Sequence, residues 1–134
     1  MHSLVLLVVP TGVVDVSGYV RETLERFRRN DKNESGRFDY YQIGGLWEGQ
    51  LRHSSVKPRK PGTWENNSCP VVDLETTGGA VVTADQEWLD SDDVGLRLID
   101  APEQRSEAMA RWDVRAREIL SEQQGIVVAI DVHS

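Results

Sequence analysis

The 134-residue chain has little of several things, and each shortage excludes something. There is a single cysteine, Cys69, so no disulfide forms within the chain. That usage fits a reducing cytoplasm. The longest apolar run, in "MHSLVLLVV", is far too short to span a bilayer, which takes about 20 residues. It also lacks the basic start, full apolar stretch and small-residue cleavage site of a secretory leader, so it reads as a buried strand and no membrane is expected. There are three histidines, and no zinc spacing, phosphate-cradling loop, dinucleotide fingerprint or nucleophile elbow. "DSDDVG" (90–95) lacks the Asp/Asn alternation, central glycine and closing glutamate of a calcium loop. No metal and no cofactor are therefore expected, and Cys69, with no histidine near it in sequence, is a poor catalytic thiol. No internal repeat or low-complexity segment is present.

Positive charge is also scarce, but unevenly. The net charge is −7. Residues 21–60 hold ten Lys/Arg against six Asp/Glu, and the remainder hold five against sixteen. An acidic whole argues against duplex nucleic acid as a partner, because phosphate neutralisation needs a basic face. A local basic excess still suits one small anion, or simply a solvated charged surface.

The length is one domain's worth, 1–134, and the best apolar segments lie at its two ends. "SLVLLVV" (3–9) is continuously apolar up to Pro10, as a strand covered on both faces would be. A helix follows, capped by Asp15 or Ser17, with Val16, Tyr19, Val20, Leu24 and Phe27 on one face and Arg26, Arg28 and Arg29 near its end. "RFDYYQI" reads as a strand broken by Gly44 and Gly45. Residues 52–69 form a long irregular loop carrying His53, Lys57, Arg59, Lys60 and Trp64. "GAVVTADQEWL" reads as a hairpin turning near Ala84, Asp85 and Gln86. A second helix begins near Pro102, with Asp100 as cap and Glu103 completing a capping box. Its apolar stripe is Met109, Trp112, Ala116, Ile119 and Leu120, and Gly125 ends it as a left-handed cap. "IVVAI" (126–130) is another interior strand. This order predicts an α+β fold, a ferredoxin-like α/β sandwich, with a mostly antiparallel sheet, the terminal strands side by side at its centre and both helices on one face. The free edges of such a sheet admit a homodimer.

Two places carry chemistry. In "FDYYQIGGLWEGQL" (38–51), Gly44 and Gly45 allow positive φ and close approach. Tyr40, Tyr41 and Trp47 offer flat faces on which a base or sugar stacks, and Arg37 and Arg52 flank them. The competing reading is a glycine-bulged corner with aromatics packed beneath it. In "IDVH", Asp131 and His133 share a face by the period-two rule, and an aspartate beside a histidine orients a general base. His2 would sit on the neighbouring strand. The paired His-x-Thr/Ser motifs of two-histidine phosphodiesterases are missing. The competing reading there is a frayed, inert chain end.

"FDYYQIGGLWEG" resembles the Asp-x-Tyr-x-x-Gly-Gly-Arg-Trp-x-Gly signature of a group of small phage and actinobacterial proteins, through Asp39, Tyr41, Gly44, Gly45, Trp47 and Gly49. "AVVTADQEWL", ending in Trp88, and "AIDVHS", with Asp131 and His133, are similar to its later segments. Leu46 stands where the signature has arginine, so any anion contact made there is either lost in this chain or taken over by Arg37 or Arg52. The resemblance implies a phage or mobile-element setting and no particular activity. Three expectations follow. The first is an accessory protein that binds a small nucleotide-like ligand, sequestering a host defence signal. The second is a small hydrolase or phosphodiesterase using His133 with Asp131. The third is a module that binds a host protein through Tyr40, Tyr41 and Trp47.

Overall fold

A computed structural model of the chain describes residues 1–52, 55–91 and 101–134. Within them lie strands β1 (His2–Val9), β2 (Tyr40–Ile43), β3 (Ser68–Pro70), β4 (Ala80–Val82), β5 (Trp88–Asp90) and β6 (Ile126–His133). The helices are α1 (Val16–Glu25) and α2 (Pro102–Ser121). Short 3-10 turns occupy Gly45–Trp47, Glu65–Asn67 and Val71–Asp73. None of the described helices is long and apolar enough to cross a membrane.

The six strands form one mixed sheet in the order β2-β6-β1-β4-β5. The terminal strands pair at its centre, as expected, in eight antiparallel steps from His2–His133 to Val9–Ile126. Two short strands share the other edge of β6 end to end. β2 pairs with its last four residues and β3 with Ile126–Val128. On the far side β1 pairs with β4 in parallel, and β4 turns back antiparallel into β5. The β4–β5 hairpin falls where the sequence placed it, with Gln86 at φ +63° in its turn.

Alternation along β1 divides the core. Leu4, Leu6 and Val8 pack with Val127, Ala129, Trp112, Ala116, Ile119 and Leu120 under α2. Val5, Leu7 and Val9 pack with Val128, Ile130, Val16, Val20, Leu24 and Phe38 under α1. The helices therefore cover opposite faces, which corrects the expected ferredoxin-like sandwich with both on one face. The physical reason lies in the run from Leu4 to Val9, every residue of which is buried. A strand apolar on both sides needs a cover on both, and two helices on one side would leave the other in water. The sheet is mixed, with β1–β4 parallel and the other four pairings antiparallel. Parallel neighbours need a long crossover, and residues 10–79 supply it.

One local alternative is resolved and two local expectations are revised. Asp15, not Ser17, caps α1, its Oδ1 accepting from Gly18 N at 3.0 Å. In α2, Ala108 rather than Met109 continues the stripe through Trp112 and Ala116, while Met109 is 56% exposed. Gly125 is not the cap, since α2 ends at Ser121 and is capped by Glu122. Gly125 lies at φ +109°, where a Cβ would run into Val9 O, so close approach to β1 is what requires glycine. The expected cap Asp100, most of the 90–95 loop and His53 lie outside the described residues.

Candidate functional site

β2 leaves the sheet at Ile43, and the next six residues make a compact knot against β6. Gly44 N donates to Ala129 O at 2.9 Å. Gly44, Gly45 and Gly49 lie at φ +82°, +51° and +75°. A Cβ on Gly45 would overlap the Asp131 carboxylate, and one on Gly44 would come within 2.6 Å of Asn67 Oδ1. The glycines are there because two buried polar side chains, Asp131 and Asn67, press against this backbone.

Asn67 is fully buried, and it ties three segments together. Its Oδ1 accepts from Gly49 N at 2.9 Å, and its Nδ2 donates to Glu48 Oε2 at 2.7 Å and Thr63 O at 2.8 Å. Asn66 donates to the same Glu48 oxygen at 2.6 Å and accepts from Arg59 N at 3.1 Å. Glu48 Oε1 accepts from Gly62 N at 2.7 Å. Burial alone would raise the Glu48 carboxyl. The donors from Asn66, Gly62 and Asn67 outweigh it and hold the group below its ordinary value. The "irregular" loop of 52–69 is thus fastened to the Gly-Gly segment through Glu48 and Asn67.

A second polar cluster lies at the same end of the sheet. Asp131 is only 4% exposed. Its Oδ1 pairs with His2 Nδ1 at 2.8 Å and its Oδ2 accepts from Leu46 N at 3.0 Å. Asp131 and His133 do share a face, but Asp131 orients His2 rather than His133. Asp39 takes the other histidine: its Oδ2 lies 3.4 Å from His133 Nδ1, close enough for an ion pair but not aligned as a hydrogen bond. The Asp39 Oδ1 meets Arg29 Nη2 at 3.2 Å. Tyr40 stacks on His133 with ring centroids 4.8 Å apart, and the two imidazoles meet edge to face at 5.3 Å. Among the described residues no group of three His, Cys, Asp or Glu side chains is placed to hold a metal.

A cavity of about 780 Å³ opens between the sheet and α2. Trp47, Arg52, Asp73, Glu75, Met109 and Trp112 are among the described residues that line it. Trp47 is partly buried, packs against the core under α2 and also lines this space, so it touches both core and cavity. Arg52 Nη1 donates to Val56 O at 3.0 Å, while its Nε is buried without a hydrogen-bond partner among the described residues. Cys69 also lines the cavity, but burial, with the Asp73 charge adding to it, pushes its thiol up to about 11. It is a poor nucleophile at neutral pH.

The seven expected ligand-binding residues do not form one surface. Tyr40, Gly44, Gly45, Trp47 and Arg52 lie on the α2 side or at its edge. Tyr41 packs edge-on against Phe38 in the α1-side core, 5.9 Å between centroids. Arg37 follows it there, bonded through its backbone to Phe27 O and 3.9 Å from Asp90. Adjacent residues of a strand point to opposite faces, which separates Tyr40 from Tyr41. Sequence reading missed Glu48, Asn66 and Asn67. A pair of asparagines in a loop otherwise rich in charge and proline was the available signal. Comparison with protein-family models, with curated proteins and with solved structures found no match for this chain.

Proposed function

We propose that the protein binds a small nucleotide-like ligand in the cavity beneath α2. In the phage-type setting that the Asp39–Gly49 signature implies, such binding would withdraw a nucleotide signal of host defence. The observation that carries this reading is the buried Arg52 Nε, without a hydrogen-bond partner among the described residues, in a cavity wall that Trp47 shares. A buried guanidinium N–H without an acceptor is costly, and a ligand anion relieves it. The Trp47 indole supplies a stacking face. Asp73 and Glu75 supply acceptors for ribose hydroxyls or exocyclic amines, which a bare phosphate would not use. The volume falls within the range of small-molecule sites.

Native mass spectrometry and tryptophan fluorescence against a panel of mononucleotides and cyclic dinucleotides test the reading. One of the panel is expected to bind and be released unaltered. Trp47→Ala and Arg52→Gln are each expected to weaken it at least tenfold, with the fold retained by circular dichroism. Full affinity in both variants would dismiss the cavity as the site.

A further inference from the structure

The cluster at the open end of β1 and β6 is not used by the cavity reading, and its geometry has its own chemistry. Two imidazoles stand 5.3 Å apart, His2 hydrogen-bonded through Nδ1 to Asp131 and His133 with its Nδ1 3.4 Å from Asp39 but without a hydrogen bond. Neither Nε2 has a hydrogen-bond partner among the described residues, and neither is among the buried unsatisfied atoms. Both side chains are partly open to solvent, at 40% and 33%. From this we infer that His2 and His133 act together as general base and general acid in the hydrolysis of a phosphodiester.

The surroundings assign the roles. Asp131 is buried and accepts from His2 Nδ1–H, which leaves the lone pair of the neutral ring on Nε2, pointing away from the carboxylate. Asp131 is itself held by Leu46 N, so the ring it orients is fixed to the Gly-Gly knot. His133 is placed differently. As an imidazolium it has the Asp39 carboxylate 3.4 Å from Nδ1 and the ring face of Tyr40 stacked on it, and it offers a proton at Nε2. In this scheme the attacking group is water, activated by His2.

The step balances without a cofactor. The water oxygen attacks phosphorus as His2 Nε2 takes its proton. The bond from phosphorus to the leaving oxygen breaks, its electron pair goes to that oxygen, and His133 Nε2 delivers a proton there. The products are a phosphomonoester and an alcohol. Proton exchange with solvent then returns both imidazoles to their starting states. The pair serves the entering and leaving oxygens of an in-line displacement, which two metal ions about 4 Å apart clamp in other phosphoryl sites.

The test compares two probes with the full chain in the presence of EDTA. Bis(p-nitrophenyl) phosphate has a leaving group that needs no proton, and the dinucleotide TpT has one that does. The intact protein is expected to hydrolyse both. His2→Gln should lose about 100-fold or more on either probe. His133→Gln should lose as much on TpT but under about fivefold on the nitrophenyl ester, a contrast that a merely structural role would not produce. Both positions end strands and are partly exposed, and thermal unfolding confirms that the variants fold. Hydrolysis of neither probe above the protein-free control overturns the inference without recourse to any variant. So does activity retained within twofold in His2→Gln, or equal losses on both probes in His133→Gln.

Discussion

Glu48 is one side chain that holds two distant segments together, and its protonation should be felt in stability. Its folded-state carboxyl is held below the ordinary value near 4.5 by the Asn66, Gly62 and Asn67 donors acting against burial. A depressed carboxyl contributes stability that is fully present above the unfolded value and is lost as pH falls through the folded one. The urea midpoint is therefore expected to drop as pH is lowered from about 4.5, and Glu48→Gln should flatten that part of the profile while lowering the midpoint at pH 7. A wild-type profile parallel to the variant's would remove Glu48 from this role. At this scale the glycines were legible and their partners were not. Gly44 and Gly45 announce positive φ from sequence alone. What presses on them, Asn67 and Asp131, comes from residues more than twenty positions away with no periodicity to betray them. Likewise the period-two rule put Asp131 and His133 on one face. Which histidine Asp131 would hold depends on β1 lying beside β6 and on its register.

Among the elements, α2 shows how a helix reads in outline and misreads at its rim. The spacing 108, 112, 116 runs straight along the helix, with Ile119 and Leu120 continuing it, and all five are buried. Met109 lies one residue, about 100°, from the centre of that stripe, and it borders the cavity instead. Trp112 anchors the helix. It is 5% exposed, packs into the α2-side core, and donates from Nε1 to Gly78 O at 2.8 Å, joining α2 to the entry of β4. Trp112→Ala is expected to cost about 3–5 kcal/mol, the range for emptying a large aromatic site. Met109→Ala should change stability by under about 1 kcal/mol. Urea unfolding of the two variants side by side checks the contrast, and equal losses would mean that the stripe is drawn wrongly. β2 and β3 lay beyond sequence reading for a different reason. Strands of four and three residues carry too little pattern to distinguish an edge pairing from a loop.

For the molecule as a whole, the apolar runs at the two ends fixed the centre of the sheet, and the same runs should have placed a helix on each face. The ends of the described chain also meet. Met1 N donates to Ser134 O at 3.2 Å, and Ser134 N donates to Met1 O at 3.0 Å. A permuted chain joining Ser134 to Met1 by a short glycine-containing turn, opened between the exposed Lys57 and Pro58, is expected to unfold cooperatively with a midpoint near that of the parent. A non-cooperative transition would mean that the 52–69 loop is needed intact. The central position of β6 has a consequence for biosynthesis. A ribosome delivers Ile126–His133 after every other described strand, yet β1, β2 and β3 all take hydrogen bonds from or give them to this strand. Until those eight residues emerge, β1 can pair only with β4, and its other edge, apolar on both faces, stays open to any neighbouring nascent chain. The protein's most exposed moment thus comes during translation, and the codons of β6 close it.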